Sequence, residues 1–163
     1  MIKFDFLQYV KKEYIQKNKL LMDDIDELKP WGAYYRFDAS QKEAYMGLFY
    51  SGFDLVVPGN ISPKLLIFEP GKKLSLQYHE RRDEIWVVLE GEIEAYFGEG
   101  DQIGDYRKYE KGDIFTYSAG VRHKAGAIGA NWAVVGEIWR HTDQKNLSTE
   151  DDNIRLSDDF GRA

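Results

Sequence analysis

The chain has 163 residues, of which 43% are hydrophobic and 15% aromatic, and its formal net charge at pH 7 is -6. This length suits one globular domain, and the acidic balance argues against a nucleic-acid partner, because binding a phosphate backbone needs a basic face. The sequence contains no cysteine, which excludes disulfides, thiolate metal sites and cysteine nucleophiles. No apolar stretch approaches the length of a membrane span and no secretory signal is expected, so we expect a cytoplasmic protein.

The N-terminal part of the chain is predicted to be helical. Phe6, Val10 and Tyr14 recur at four-residue spacing among lysines, which is the pattern of an amphipathic helix. A second short helix is predicted after Asp23, with acidic residues in its first turn and Pro30 beyond its end. We expect these helices to pack on the outside of the main domain. A homodimer contact is the alternative.

From Trp31 onward the pattern changes to alternation, with Trp31, Ala33, Tyr35 and Phe37 predicted on one side of a strand. Further short strands, rich in β-branched or aromatic residues and separated by turn residues, are predicted at 47–51, 64–69, 74–78, 84–89, 92–97, 113–117, 123–128 and 132–139. The segment 98–111 is predicted to be a polar hairpin loop, and 143–153 is predicted to run over the surface. Many short strands without helical crossovers indicate a β-sandwich or barrel.

Polar side chains that can bind a metal occur where a half-buried strand would carry apolar ones. Gln77 and His79 are two residues apart on one predicted strand, so they share a face. Glu84 starts the next strand after a short turn, and His123 starts a strand much later in the chain. A lone strand histidine is more often a hydrogen-bonded core residue. Four compatible donors instead indicate a divalent ion, with Zn²⁺ favoured and Mn²⁺, Fe²⁺, Co²⁺ or Ni²⁺ as competitors.

These residues resemble the two motifs of the cupins. The stretch GKKLSLQYHERRDEIWVVLEG is similar to the first motif, Gly-x5-His-x-His-x3,4-Glu-x6-Gly, with Gln77 in place of a histidine. The stretch GDIFTYSAGVRH resembles the second motif and ends at His123. The resemblance implies an all-β cupin fold, a jelly-roll-like β-barrel, over residues 29–163. Residues 1–28 are then an N-terminal α-helical extension.

Within the cupins, the chain resembles the cupin domain of type II phosphomannose isomerase (phosphomannose isomerase/mannose-1-phosphate guanylyltransferase). That family carries Leu-Ser-x-Gln-x-His, which the run from Leu74 to His79 matches. An Arg-Pro-Trp-Gly motif resembles residues 29–32, and the family's ending resembles 150–155 and 158–162. The sequence has no guanylyltransferase domain, so nucleotide transfer is not expected. The resemblance implies a metal-dependent isomerase of carbohydrate metabolism that interconverts mannose 6-phosphate and fructose 6-phosphate.

Isomerisation of a sugar phosphate needs a proton carrier and groups that recognise the phosphate. Glu137 is a carboxylate left unassigned to the metal, on a predicted strand whose apolar members should face inward, so it is the candidate catalytic base. A glutamate on the outer face is the alternative. The candidate substrate-binding residues are Lys73, Ser75, Arg82 and Arg140. For each of the cations, a solvated surface charge is the alternative.

Two other functions remain as alternatives, because a fold does not determine a reaction. The first is a non-catalytic cupin that binds a sugar or a sugar phosphate. The second is a metal-dependent oxygenase, a chemistry to which Gln77 in place of a histidine is less suited. Binding of sugar phosphates without turnover would favour the first, and oxygen consumption with iron would favour the second.

Overall fold

Two antiparallel β-sheets and two short helices form the fold in the computed structural model, which describes residues 1–162. Helix α1 (Lys3–Val10) continues as a π-helical stretch (Lys11–Gln16), and a 3-10 turn (Ala39–Gln41) precedes helix α2 (Lys42–Phe49). The strands are β1 (Met22–Asp26), β2 (Gly32–Phe37), β3 (Ile61–Phe68), β4 (Leu76–Tyr78), β5 (Arg82–Glu90), β6 (Glu92–Gly98), β7 (Arg107–Glu110), β8 (Ile114–Tyr117), β9 (Arg122–Ala127), β10 (Ala133–His141) and β11 (Ile154–Ser157).

The larger sheet has the order β1-β2-β3-β10-β5-β8, and the smaller sheet has the order β11-β4-β9-β6-β7. Every strand pairing between neighbours is antiparallel, which confirms the predicted all-β class. The inner faces of the two sheets share one apolar cluster that includes Phe68, Trp86 and Val135 from the larger sheet and Ile93 and Ala125 from the smaller one. These side chains alternate with outward-facing ones along each strand, as the pleat requires.

The outer face of the larger sheet is covered by the helices. Phe6 and Val10 of α1 and Tyr45 of α2 belong to a second apolar cluster together with Tyr35 and Ile138 of the sheet. The larger sheet is therefore buried on both faces, which explains why its strands carry apolar residues at successive positions. The N-terminal helix packs on the outside of the main domain, as the sequence predicts. None of the helices within residues 1–162 is long and apolar enough to cross a membrane.

Two predicted elements are wrong. The short helix expected after Asp23 is strand β1, which pairs with β2 and whose Asp24 accepts a hydrogen bond from the Tyr34 hydroxyl at 2.8 Å. The strand expected at 47–51 lies largely within α2, where Tyr45 and Phe49 pack edge to face on one side of the helix. Short apolar runs do not distinguish a strand from a buried helix by periodicity alone, and here the tertiary contacts decide.

The predicted face of Trp31 is also wrong. Ala33, Tyr35 and Phe37 do lie on the outer face of the sheet, but Trp31 belongs to the inner cluster with Phe68. Gly32 separates them and has a φ of 150°, and a Cβ atom there would lie 1.7 Å from the Ile67 carbonyl oxygen. The side chains before and after Gly32 therefore face opposite sides of the sheet, whereas strict alternation would place them on the same side. Only glycine tolerates the backbone conformation and the close carbonyl oxygen at this position.

The segment 143–153 does not simply run over the surface. Ser148 and Asp152 are buried, and the chain then forms β11, in which Arg155 pairs with Gln77 of β4. The polar loop predicted at 98–111 contains strand β7 at its end. Polar composition misled the prediction for 143–153, because Ser148 and Asp152 form hydrogen bonds inside the fold. Strand β7 is a largely exposed edge strand, so polar composition does not distinguish it from a loop.

Gly91, between β5 and β6, is a glycine at which substitution should be costly. Its φ is 75°, and an added Cβ atom would lie 2.2 Å from the Trp132 carbonyl oxygen. Gly112 also has a positive φ, 95°, but an added Cβ atom would meet nothing within 4 Å. We expect Gly112→Ala to lower the free energy of unfolding by about 1–2 kcal/mol and Gly91→Ala to lower it by more. Urea unfolding measures the free energy of unfolding of both variants. Equal losses would show that the close contact at Gly91 is absent.

Candidate metal centre

Three of the predicted ligands converge between the two sheets. His79 follows β4, Glu84 lies on β5 and His123 lies on β9. Each is buried, and their ligand atoms lie within 4.8 Å of one another. Gln77, the fourth predicted donor, is the direct strand partner of His123, and its Oε1 accepts a hydrogen bond from Ser75 Oγ at 2.7 Å. The structure thus places the four residues in one region of the barrel interior.

Backbone carbonyls orient both imidazoles. His79 Nδ1 lies 2.6 Å from the Asp152 carbonyl oxygen, and His123 Nδ1 lies 3.0 Å from the Val121 carbonyl oxygen. An Nδ1–H that donates to a carbonyl leaves the lone pair on Nε2, which is the arrangement a metal-binding histidine needs. Within residues 1–162, His123 Nε2 is buried and has no hydrogen-bond partner. This unpartnered nitrogen is the observation that fits a bound divalent ion.

Glu84 presents a carboxylate to the same region. Its Oε2 accepts hydrogen bonds from Trp86 Nε1 at 3.1 Å and from the Tyr117 hydroxyl at 2.8 Å. Its Oε1 lies 3.0 Å from His79 Nε2. Burial opposes ionisation, but interactions with His79 and Arg82 outweigh it and hold the pKa of Glu84 well below its ordinary value. The ionised carboxylate is suited to bind a cation.

Arg82 lies against these ligands. Its Nε donates to Glu84 Oε1 at 2.8 Å, and its Nη2 lies 3.2 Å from His79 Nε2. Its Nη1 donates to Ser148 Oγ at 2.9 Å, and its guanidinium carbon lies 3.6 Å from the centre of the Trp139 ring. The guanidinium therefore contacts two of the three metal-ligand candidates. Arg82 and Glu84 are two apart on β5 and share a face, a signal that was present in the sequence.

Glu137 faces the interior from β10. It is paired in register with Lys64 of β3 and with Trp86 of β5, and its carboxyl group hydrogen-bonds that of Glu84. Burial, followed by the charge of Glu84, raises the pKa of Glu137 well above its ordinary value. The surroundings therefore favour the protonated form of Glu137 and the ionised form of Glu84.

A cavity of about 230 Å³ opens beside these carboxyl groups. It is lined by Lys29, Trp31, Tyr34, Lys64, Leu66, Leu74, Gln77, Arg82, Glu84, Glu137, Trp139, Glu150, Asn153, Arg155 and Arg162. The two histidines do not line it, and Arg82 contacts His79 from the cavity wall. The cavity is therefore a binding space that reaches the candidate metal centre through Glu84 and Gln77.

The structure does not bring every predicted substrate-binding residue to this cavity. Lys73 is paired with Glu94 at 2.8 Å, and Arg140 is paired with Asp83. Neither cation lines the cavity, nor does Ser75, which is buried behind Gln77. Sequence reasoning missed Lys64, although it alternates with Leu66 and Phe68 along β3 and so belongs to the inner face.

The stability of the metal-free protein should depend on His123. Burial, the largest cause, lowers the pKa of His123 to about 3, from an ordinary value of 6.5. Between these values the unfolded chain binds a proton that the folded chain does not, so stability falls as the pH decreases. From pH 7 to pH 5, wild type should lose about 2 kcal/mol more than His123→Gln, which cannot titrate. Urea unfolding at the two pH values measures this loss, and an equal loss in both proteins would contradict it.

Comparison with known proteins agrees with this architecture. Residues 64–139 match the family model described as Cupin domain. No curated protein sequence matches the chain. The structure of oxalate decarboxylase from Bacillus subtilis at pH 4.6 is 14% identical, with 83% of this chain and 31% of that chain covered and a TM-score of 0.59. Vicilin from Corylus avellana (hazelnut) is 15% identical, with 77% and 34% covered and a TM-score of 0.55.

The chain spans about a third of the length of these two solved structures. At such identities the likeness concerns the fold, and it agrees with the two antiparallel sheets described above. The family match begins at Lys64 on β3 and ends at Trp139 on β10, so it includes all four predicted metal ligands. Residues 64–139 therefore match the cupin model, and the chain has the cupin fold.

Proposed function

We propose that the protein is a metal-dependent isomerase that interconverts an aldose phosphate and a ketose phosphate, with mannose 6-phosphate and fructose 6-phosphate as the leading pair. The observation that carries this proposal is the hydrogen-bonded pair of Glu137 and Glu84 beside two histidines. One carboxyl group is ionised and belongs to the metal-ligand candidates, and the other holds a proton at the wall of a cavity. The sequence resemblance to type II phosphomannose isomerase supports the choice of sugar.

His79, Glu84 and His123 would hold the divalent ion, with Gln77 as an additional oxygen donor. When bound, the ion would polarise the carbonyl and hydroxyl oxygens of the open-chain sugar. Backbone carbonyls keep the two imidazoles in the tautomer that binds through Nε2. Trp86 and Tyr117 hold Glu84 in place by donating hydrogen bonds to its second oxygen.

Glu137 carries the proton in this proposal. Its deprotonated form, in equilibrium with the protonated one, would remove the proton from C2, and the electrons of that C–H bond would form the C1–C2 double bond of an enediol. The carboxyl group then returns the proton to C1 while the hydroxyl proton of C2 moves to the oxygen of C1, so no atom is gained or lost. A carboxyl group whose pKa is raised is a stronger base than an exposed glutamate, which suits this role near neutral pH.

A metal analysis combined with an isomerase assay tests the proposal. We expect purified protein to hold about one divalent ion per chain and to convert mannose 6-phosphate to fructose 6-phosphate. Chelation should remove both the ion and the turnover, and added ion should restore both. Turnover that survives complete removal of the ion would refute the metal-dependent mechanism, and an ion without turnover on a panel of aldose phosphates would refute the isomerase.

One observation favours a second function, a non-catalytic cupin that binds a sugar phosphate without a metal. Arg82 already contacts both Glu84 Oε1 and His79 Nε2. Its guanidinium therefore supplies to these two side chains the positive charge that a metal ion would otherwise supply. This function predicts a wild type that binds sugar phosphates without an ion and without turnover, and an Arg82→Met variant that gains metal affinity. Stoichiometric metal in the wild type contradicts it.

A further inference from the structure

Lys64 is a buried ammonium group inside the cavity. Its side chain is only 4% exposed, and its Nζ lies 2.5 Å from Glu150 Oε1, whereas the side chain of Glu150 is 46% exposed. A buried charge without a partner is strongly unfavourable, so Lys64 needs an anion beside it at all times. Glu150 can leave at lower cost, because water can solvate its carboxylate.

An unsatisfied donor belongs to the same part of the cavity. The Nζ of Lys64 lies 3.8 Å from the centre of the Trp139 ring, and Trp139 is 3% exposed. Among the described residues, Trp139 Nε1 is buried and has no hydrogen-bond partner. An indole N–H is a donor only, so its missing partner is an acceptor. Lys64 and Trp139 both line the cavity, so an ammonium group and an unsatisfied N–H group belong to the same wall.

The charge of the cavity wall agrees with such an acceptor. Five basic side chains and three acidic ones line the cavity. The whole protein has a formal net charge of -6, so the positive balance is local to this cavity. A positive balance between low-dielectric walls attracts anions.

We propose that the anionic group of the ligand, a phosphate or a carboxylate on a sugar, binds to Lys64 and Trp139 Nε1 by displacing the carboxylate of Glu150. This inference rests on the proposed function for the sugar and adds the residues that recognise its charge. Glu150 acts as an internal counter-ion that keeps Lys64 paired while the cavity holds no ligand. The same carboxylate competes with the ligand and lowers its apparent affinity.

Calorimetric titration of the chelated 163-residue protein with inorganic phosphate tests the displacement. Glu150→Gln should bind phosphate about tenfold more tightly, because the competing carboxylate is removed. Lys64→Met should bind it at least about tenfold more weakly. Trp139→Phe retains the ring and removes only the N–H donor, and it should weaken binding several-fold.

Lys108 and Glu92 form a matched ion pair outside the cavity, at 2.8 Å. Lys108→Met and Glu92→Gln should leave phosphate affinity unchanged. If Lys64→Met fails to fold, Glu150→Gln and Trp139→Phe still decide the question. Phosphate affinity that does not change in Glu150→Gln, or that rises equally in Glu92→Gln, would overturn the inference.

Parallel titrations with mannose 6-phosphate, glucuronate and mannose identify the anionic group. If mannose 6-phosphate binds, and binds more tightly to Glu150→Gln, the phosphate is the recognised group. If glucuronate binds in this way, the carboxylate is the recognised group. Mannose should show no gain in that variant, and an equal gain would contradict recognition of charge. These affinities are measured without the ion and without turnover. They therefore test the anion site independently of the isomerase assay.

Discussion

Replacing His123 by alanine is expected to lower the affinity for a divalent ion by about 100-fold or more. Loss of groups that merely orient a ligand already costs about 10–100-fold, and His123 would supply a ligand atom itself. Its Nε2 is buried with no partner among residues 1–162, so the substitution removes no hydrogen bond on that side of the ring. Equilibrium titration with Zn²⁺ or Mn²⁺, followed by metal analysis, measures the effect.

His141 provides the matched control, because the sequence contains only three histidines. It is buried like His123, but its Nδ1 accepts a hydrogen bond from the Ser148 amide and its Nε2 lies 3.0 Å from Ser62 Oγ. Both ring nitrogens are thus already used. His141→Ala should retain about one ion per chain. Equal loss of the ion in both variants would mean that the substitutions act through the fold and not through a metal ligand.

Glu137→Gln is expected to lower turnover on the aldose phosphate by about 10²–10⁴-fold, because an amide cannot carry the proton between C2 and C1. Glutamine has nearly the same shape as the protonated carboxyl group present here, and its NH₂ group can still donate to Glu84. We therefore expect the fold and the bound ion to be retained. Steady-state assays, metal analysis and thermal unfolding of the same sample separate these effects.

Glu94→Gln is the control for the loss of turnover. Glu94 pairs with Lys73 at 2.8 Å and does not line the cavity. Its substitution should leave turnover within a few-fold of wild type. A Glu137→Gln variant that keeps full turnover would exclude Glu137 as the proton carrier, even if the protein is an isomerase.

The metal-ligand candidates could be predicted from the sequence because their signal is local. Gln77 and His79 share a strand face by their spacing, Glu84 follows after a short turn, and Glu137 faces inward by alternation with apolar neighbours. His123 starts a predicted strand just after a glycine-containing turn, and it also ends the stretch that resembles the second motif. In each case a few adjacent residues fix the direction of the side chain.

The surroundings of the site could not be predicted, because they depend on residues far apart in the chain. Asp152 contacts His79 through its carbonyl oxygen, and Glu150 pairs with Lys64 across 86 positions. Both acidic residues lie in a polar segment whose composition indicates a surface loop. Arg82 and Glu84 share a strand face by their spacing, but spacing alone does not show which groups a long side chain contacts.

Crystallography of the protein with Mn²⁺, using anomalous scattering, tests the metal centre most directly. The account predicts one strong peak bonded to His79 Nε2, to a Glu84 oxygen and to His123 Nε2, at about 2.0–2.3 Å from each. Arg82 should then have moved its Nε away from Glu84 Oε1. A peak at any other position, or Arg82 still bonded to Glu84 with no peak between the histidines at saturating Mn²⁺, would contradict it.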